Sequence, residues 1–153
     1  MGSATLQDNS DDVYSTLART EKYNVALLHG GKSQEVRQEV ITGFREGEYD
    51  IMIATDVAGR GIDVKDVGMV INFDMPSDIE RYTHRIGRTG RAGRKGLAVT
   101  FLAPSDTNVF YDLHALLTAN KAPIPPQLAN HEATKIKPGS FEATKKDTTM
   151  YAA

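Results

Sequence analysis

The segment from His84 to Arg91 carries the densest group of side chains able to do chemistry. It reads His-Arg-Ile-Gly-Arg-Thr-Gly-Arg, with three arginines, one histidine and no acidic residue. A guanidinium is a planar, permanently charged fork that matches phosphate oxygens, and glycines let the backbone approach a ligand. On a helical turn, Arg88 and Arg91 would project to the same side. The pattern predicts a polyphosphate site where charge grows during bond cleavage; the alternative is a solvated basic turn.

A second segment, Ala54 to Asp63, reads Ala-Thr-Asp-Val-Ala-Gly-Arg-Gly-Ile-Asp and follows a short apolar run that predicts a buried strand. Thr55 therefore stands at the carboxyl end of a strand, the edge where open α/β sheets bind ligands. The two glycines can aim backbone N–H groups at an anion. Arg60 can hold a phosphate, and Asp63 can accept hydrogen bonds from a sugar hydroxyl. The alternative is a glycine-rich loop that only turns.

Together with two further segments, these residues resemble the second RecA-like domain of DEAD-box RNA helicases over about residues 10 to 120. Residues 84–91 match that family's motif VI letter for letter, and residues 54–63 look like its motif V. Residues 70–76, Val-Ile-Asn-Phe-Asp-Met-Pro, look like the strand and turn between them. Residues 29–37 resemble the segment with a Gln-x-x-Arg motif on the RNA side. The order and spacing of all four make the resemblance specific.

The resemblance implies a role for each matching residue in ATP hydrolysis or RNA binding. Arg88 and Arg91 would reach the γ-phosphate as arginine fingers, Asp63 would contact the ribose, and His84 would couple the nucleotide to the RNA. The residues implied to contact RNA phosphates and sugars are Gly30, Gly31, Gln34, Arg37, Thr55 and Arg60.

Three neighbouring residues keep an ordinary structural interpretation beside a functional one. Arg85 could do no more than pair with an acid. Asp56 is either functional or a strand-end cap and ion-pair partner of an arginine such as Arg85. We favour a strand-end role without ligand contact for His29.

The sequence contains neither a Gly-x-x-x-x-Gly-Lys-Ser/Thr phosphate loop nor an Asp-Glu-Ala-Asp segment. The resemblance therefore implies that ATP and Mg²⁺ are held mainly by the N-terminal RecA-like domain, with RNA bound across the cleft between the two domains. We expect the 153-residue chain to supply half of an active site and to show no ATPase activity alone. Self-association through an exposed strand edge is a further expectation.

Composition restricts the class of protein. The chain has 153 residues, 40% hydrophobic and 25% charged, a net charge of −2 and no cysteine. These values are ordinary for one globular domain, and they exclude a disulfide framework and a general polycation. The four histidines lack ligand spacing, so we expect no metal site, and we expect no membrane segment. RNA binding must then come from a local basic patch, Arg81 to Lys95.

Hydrophobic periodicity predicts alternating strands and helices. We expect helices at 11–22, 33–46, 78–86 and 105–118 and strands at 24–28, 50–54, 68–73 and 96–102. Such alternation favours an α/β fold with a parallel sheet and helices on both faces, here a RecA-like sheet. The strand that precedes the first helix in the family has no counterpart before Asp11. We assign the aromatic and methionine residues Phe44, Phe73, Met75, Phe101 and Phe110 to the core.

We divide the chain into a leader or cloning remnant (1–9), the RecA-like domain (10–121) and an irregular tail rich in Pro, Thr and Lys (122–153). Residues 125–146 of the tail resemble the carboxyl-terminal end of the spliceosomal DEAD-box helicases that act at the 5′ splice site. That resemblance implies a nuclear role in pre-mRNA splicing and spliceosomal protein partners.

Three functions from different classes remain open. The first is half of an ATP-dependent RNA helicase. The second is a non-catalytic RNA-binding or regulatory module on the same fold. The third is a protein-interaction platform. The arginine pair separates the first from the second, because RNA binding alone does not require two guanidinium groups facing a nucleotide.

Overall fold

The computed structural model describes residues 4–55, 64, 67–90 and 92–139, with side chains from Ser10 onward. The chain divides into two compact units, Met1–Lys65 and Asp66–Ala153. Within the described ranges, no helix is long and apolar enough to cross a lipid bilayer. The elements, in chain order, are α1 (Ala4–Ala18), β1 (Val25–Leu28), α2 (Gln34–Glu46), β2 (Ile51–Ala54), β3 (Met69–Asn72), α3 (Ile79–Ile86), β4 (Leu97–Thr100), α4 (Thr107–Ala119) and α5 (Pro126–Ala129).

Helix α1 differs from the predicted helix at both ends. It begins at Ala4 instead of Asp11, so Ser10 lies inside the helix. It ends at Ala18 because the chain turns soon afterwards: Thr20 N–H donates to the carbonyl of Leu17, and Glu21 has a left-handed φ of 51°. A non-glycine residue in that conformation cannot continue an α-helix.

In the first unit, β1 and β2 pair in parallel, with Val25 opposite Ile51 and Leu28 opposite Ala54. Helix α2 connects them and buries Val40 and Ile41. Its predicted boundaries are confirmed. Ser33 is the N-cap, and Gly47 ends the helix with a φ of 83°, a conformation that glycine adopts without a steric penalty.

In the second unit, β3 and β4 also pair in parallel, with Met69 opposite Leu97 and Asn72 opposite Thr100. One face of this pair is exposed, and the assignment of two aromatic residues to the core is wrong. Phe73 and Phe101 are 55% and 58% exposed, and their rings meet edge to face with centroids 6.0 Å apart. The two rings contact each other across the strand ends instead of packing into the interior.

The core of the second unit lies among α3, α4 and the segment after α4. Its buried residues are Tyr82, Val109, Phe110, Leu113 and Leu128. Leu128 belongs to the segment predicted to be irregular, which forms α5 and a 3₁₀ turn at Glu132–Thr134. The ring of His131 packs edge-on against Phe110, with centroids 4.8 Å apart. Burial of Leu128 explains why this short segment is ordered despite its prolines.

Parallel strands linked through helices confirm the predicted α/β class, and the strand positions agree with the prediction to within a few residues. The described strands form two two-stranded sheets, β1–β2 and β3–β4. Among residues 4–139 as described, β1 is the first strand.

Candidate phosphate and nucleic-acid sites

The loop after β1, residues 29–33, is the glycine loop. His29 folds its ring over the loop, and its Nδ1 accepts a hydrogen bond from Gly31 N–H at 3.1 Å. A Cβ atom on Gly31 would lie 3.1 Å from His29 Cε1, so the position tolerates little added bulk. Lys32 N–H donates to the His29 carbonyl at 3.2 Å. These contacts agree with a structural role for His29.

Helix α2 begins directly after this loop. The hydroxyl of Ser33 accepts a hydrogen bond from Val36 N–H at 3.4 Å and so caps the helix. Gln34 and Arg37, one turn apart, meet on the same face, where Arg37 Nη1 donates to Gln34 Oε1 at 3.4 Å. The expected Gln-x-x-Arg pair therefore exists as a contact. Gln34 is exposed and Arg37 is half-buried.

Thr55 follows β2 and lies beside the glycine loop. Its N–H donates to the carbonyl of Leu28, the last residue of β1, at 3.3 Å. Because β1 and β2 are parallel, their carboxyl ends meet at one edge of the sheet. The structure thus brings together five of the six residues predicted to bind RNA: Gly30, Gly31, Gln34, Arg37 and Thr55. The sixth, Arg60, lies outside the described residues, as do Asp56, Asp63 and Arg91.

The arginine turn, residues 84–90, ends helix α3 in the second unit. Gly87 N–H donates to the Thr83 carbonyl at 2.9 Å, and Arg88 N–H donates to the Arg85 carbonyl at 3.3 Å. The helix stops at Ile86, and Gly90 has a φ of 72°, so the chain is not helical through this turn. Arg88 therefore lies beyond the end of the helix, and Arg91 lies outside the described residues.

Two predicted side chains lie on the arginine turn. His84 is exposed and Arg88 is half-buried. Among the residues that the structure describes, no side chain accepts a hydrogen bond from the Arg88 guanidinium. Its backbone is held firmly, because the Arg88 carbonyl accepts a hydrogen bond from Val67 N–H at 3.1 Å, just before β3. A fixed backbone with an available guanidinium can present positive charge to a phosphate.

Arg85 has a structural role that the sequence suggested only in part. Its Nη1 donates to the Asp74 carbonyl at 3.0 Å and to Asn72 Oδ1 at 3.3 Å. Asn72 is 2% exposed, and its Nδ2 donates to Thr100 Oγ1 at 3.1 Å. Sequence reasoning did not single out Asn72. The available signal was an asparagine within the apolar run of β3, since buried amides are retained only where they are hydrogen-bonded.

Gly96 was also missed, and it limits the space beside the arginine turn. A Cβ atom here would collide with Thr89 Oγ1 and the Gly90 amide nitrogen, and it would lie 2.9 Å from Gly90 Cα. Two of these atoms belong to the backbone, which cannot swing aside as a side chain does. The chain entering β4 therefore packs directly on the turn that carries Arg88.

The other end of α3 is set by a charged cap. Asp78 Oδ1 accepts a hydrogen bond from Arg81 N–H at 2.8 Å, and Asp78 Oδ2 lies 3.2 Å from Arg81 Nε. The hydrogen bond from the Arg81 backbone, aided by the guanidinium charge, lowers the pKa of Asp78 below its ordinary value of 3.8. The helix that ends in the arginine turn thus begins at a carboxylate that is ionised at neutral pH.

Comparison with known sequences identifies the family of this chain. Residues 4–93 match the helicase conserved C-terminal domain family. The chain is 54% identical over 132 residues to DEAD-box ATP-dependent RNA helicase 21 of Oryza sativa, which covers 85% of this chain and 18% of that protein. It is 47% identical over 148 residues to the probable ATP-dependent RNA helicase DDX23 of Homo sapiens, covering 95% of this chain and 18% of the relative. The chain thus spans about a fifth of these relatives.

Solved structures agree with the sequence relatives. The yeast DEAD-box splicing factor Prp28 superposes with a TM-score of 0.75 at 30% identity, covering 91% of this chain and 31% of that one. Prp28 from Chaetomium thermophilum, bound to ADP, gives a TM-score of 0.71 at 46% identity, covering 81% and 31%. The predicted family and RecA-like fold are therefore confirmed: this chain is a helicase conserved C-terminal domain of the DEAD-box RNA helicase family.

Proposed function

We propose that this domain supplies one half of the catalytic and RNA-binding machinery of an ATP-dependent RNA helicase. Its arginine turn stabilises the charge that develops on the γ-phosphate, and its glycine loop with the start of α2 holds the RNA backbone. The other half, a second RecA-like domain with a phosphate loop, holds most of the nucleotide. Phosphoryl transfer to water is then catalysed mainly by positioning and electrostatics.

The observation that carries the proposal is the hydrogen bonding of Arg88, whose backbone is paired and whose guanidinium is not paired with any described residue. The backbone N–H and carbonyl of Arg88 are both hydrogen-bonded within the second unit, at 3.3 Å and 3.1 Å. The residue is half-buried, and its guanidinium has no acceptor among the described residues. An arginine that served only the fold would be expected to use its guanidinium, as Arg85 does through Asn72 and Asp74. Arg88 can therefore pair with an anion that none of the described residues supplies, and we propose the γ-phosphate as that anion, with Arg91 as the second finger.

Two more residues complete the proposed nucleotide side. Asp63 contacts the ribose through its carboxylate, and His84, exposed one turn before Arg88, links the nucleotide to the RNA by hydrogen bonds. ATP suits the proposed site because the guanidinium groups of Arg88 and Arg91 can pair with phosphate oxygens. Among the described residues, no group of three or more carboxylate, histidine or cysteine side chains could hold a metal ion. Mg²⁺ would bind together with ATP and would neutralise part of the phosphate charge. It would be held mainly by the other domain.

The proposed RNA side lies at the carboxyl edge of β1 and β2. Backbone N–H groups of Gly30 and Gly31, the Thr55 hydroxyl, and the Arg37 guanidinium can all pair with phosphate or sugar oxygens. None of these groups reads base edges, so binding is expected to tolerate many sequences. Gln34 and Arg60 complete the proposed RNA contacts.

The names of the relatives extend the proposal to a process. Proteins named pre-mRNA-splicing ATP-dependent RNA helicase prp28 from Schizosaccharomyces pombe and prp-28 from Neurospora crassa are 53% and 47% identical to this chain. We therefore assign the domain to an RNA helicase of pre-mRNA splicing, acting in the nucleus with spliceosomal proteins as partners. The resemblance of residues 125–146 to the end of the 5′ splice-site helicases supports the same assignment.

The proposal is tested by Arg88→Ala in the full-length protein that carries this domain. We expect kcat for RNA-stimulated ATP hydrolysis to fall by roughly 10³ or more, the range known for arginine fingers, with the fold intact. Arg19→Ala is the matched control, because Arg19 is an exposed arginine beyond the end of α1 and removes the same charge. Circular dichroism checks the fold of both variants.

Normal turnover by Arg88→Ala would contradict the finger assignment and favour the alternative, a non-catalytic RNA-binding or protein-interaction module on the same fold. The same alternative is favoured if RNA binding by the wild-type protein does not depend on ATP. The 153-residue chain alone is expected to hydrolyse no ATP above background, since its sequence lacks the phosphate loop.

A further inference from the structure

Asn72 is a buried amide that connects three elements of the second unit. It ends β3 with 2% of its surface exposed. Its Nδ2 donates to Thr100 Oγ1 of β4 at 3.1 Å, and its Oδ1 accepts from Arg85 Nη1 of α3 at 3.3 Å. A guanidinium can only donate, so the amide oxygen must face Arg85 and the amide nitrogen must face Thr100. The side chain is therefore held in one orientation from both sides.

The two ends of β3 hold the same turn. Ahead of the strand, Val67 N–H donates to the Arg88 carbonyl at 3.1 Å. At the far end of the strand, Asn72 holds the Arg85 side chain. Arg85 is joined to Arg88 through the hydrogen bond from Arg88 N–H to the Arg85 carbonyl. The backbone on which Arg88 stands is thus fixed from β3 at both ends.

We infer that Asn72 is a positioning residue for Arg88: its buried amide fixes Arg85, and through Arg85 the turn that aims the Arg88 guanidinium. This inference rests on the proposed function, because it gives Asn72 the task of orienting a group that meets phosphate. Asn72 itself touches no nucleotide. Its effect is geometric, and a misplacement of about 1 Å at a reacting centre can cost about a hundredfold in rate.

Substitutions at Asn72 and Thr100 separate hydrogen bonding from packing. Asn72→Leu keeps the branched shape and the number of heavy atoms of the side chain but removes both bonds. Asn72→Asp keeps an acceptor for Arg85, and the Thr100 hydroxyl can turn to donate to the carboxylate. Thr100→Val keeps the shape of Thr100 and removes its hydroxyl, whereas Thr100→Ser keeps the hydroxyl.

In the full-length protein, we expect Asn72→Leu to lower kcat for ATP hydrolysis about tenfold while KM for ATP changes by less than about twofold. Asn72→Asp is expected to recover most of that loss. Thr100→Val is expected to lower kcat by a smaller factor, and Thr100→Ser is expected to match the wild type. Val109→Ala is the control, because Val109 is equally buried, at 2% exposure, in the core beside α3 and touches none of these bonds.

A second readout does not depend on activity. In the 153-residue chain, hydrogen exchange at the Val67 and Arg88 amides reports the two bonds that fix the turn. We expect exchange at both amides to accelerate in Asn72→Leu and Thr100→Val but not in Val109→Ala at matched global stability. This readout keeps its meaning even if Arg88→Ala shows that the proposed function is wrong.

The inference is overturned if Asn72→Leu leaves kcat and both amides unchanged, or if Asn72→Asp and Asn72→Leu lose activity equally. It is also overturned if Val109→Ala, compared at equal folded fraction, lowers kcat as much as Asn72→Leu. If Asn72→Leu does not fold, the comparison of Thr100→Val with Thr100→Ser decides, and equal kcat values for those two variants overturn it.

Discussion

The glycine loop and the arginine turn are built in opposite ways. In the glycine loop and the first turn of α2, the hydrogen bonds from Gly31 N–H to His29, from Val36 N–H to Ser33 and from Arg37 to Gln34 join residues two or three positions apart. The arginine turn is held by residues distant in sequence. The Arg85 side chain donates to Asn72, thirteen positions away, and the Arg88 carbonyl accepts a hydrogen bond from Val67 N–H. The glycine loop is thus held by contacts between near neighbours in sequence, whereas the arginine turn depends on contacts with β3 and β4 of the second unit.

This difference has a consequence for how each site fails. A local site loses one contact at a time, because each bond depends on its own neighbours. A site held by distant contacts can be displaced by a change that touches no functional side chain. The glycine loop should therefore respond gradually to substitution, and the arginine turn should respond to changes in β3, β4 and the chain between them.

Among substitutions that touch no proposed functional side chain, the largest effect is expected from Gly96→Ala. The new methyl group would overlap the Gly90 backbone, so the arginine turn must shift. We expect unfolding free energy to fall by about 1–3 kcal/mol from overpacking, and kcat in the full-length protein to fall by up to about a hundredfold from misplacement of Arg88. Thermal melts and steady-state kinetics measure the two effects.

The matched control is Gly68→Ala, because Gly68 lies in the same unit with nothing within 4 Å of an added Cβ. It should change unfolding free energy by less than about 0.5 kcal/mol. If Gly96→Ala behaves like Gly68→Ala, then the turn is not held by the chain entering β4, and the contrast between the two sites disappears.

A moderate effect is expected from Arg37→Ala. Loss of one phosphate contact should weaken RNA binding a few-fold and reduce the slope of log affinity against log salt by about 0.7 for a single strand. Arg45→Ala is the control, since Arg45 lies in the last turn of the same helix, away from the glycine loop. Fluorescence anisotropy at several salt concentrations gives the slope. An unchanged slope in Arg37→Ala would remove Arg37 from the RNA side.

The smallest effect concerns the helix caps of the two regions. Asp78 has a lowered pKa in the folded state, so its contribution to stability is present above the unfolded value of 3.8 and is lost as pH falls through the folded pKa. Ser33, which caps α2, does not titrate. Below pH 3.8, amide exchange at Arg81 should accelerate relative to exchange at Val36. Asp78→Asn should abolish that difference; if it persists, another group carries the pH dependence.

The same contrast explains what the sequence could predict. The bounds of the helix predicted at 33–46 follow from local rules, and the structure agrees, with Ser33 as the N-cap and Gly47 directly after the last helical residue. Asn72 escaped prediction because its partners Arg85 and Thr100 lie 13 and 28 positions away. Gly96 escaped prediction because its close approach to Gly90 depends on how the chain between them turns. Periodicity could not show that Thr100 and Arg85 would meet one amide.

The two misplaced phenylalanines and the first helix show the same limit. Alternation in β3 and β4 places Phe73 and Phe101 on one face, but it does not say whether that face is covered. Helix α1 ends before Lys22 because Glu21 takes a left-handed conformation, which no residue pattern around it indicates. The proposed nucleotide residues Asp63 and Arg91 lie outside the described residues and remain predictions from the sequence.

The packing of Leu128 against Phe110 and α4 bears on how the chain folds during synthesis. Translation delivers the amino-terminal unit first, and every residue of β1, α2 and β2 is made before the second unit begins. The second core, by contrast, stays open on one side until the ribosome releases residues 126–131, an interval on the order of seconds after α4 emerges. During that interval Phe110 and Leu113 lack the apolar cover that Leu128 gives them in the finished domain.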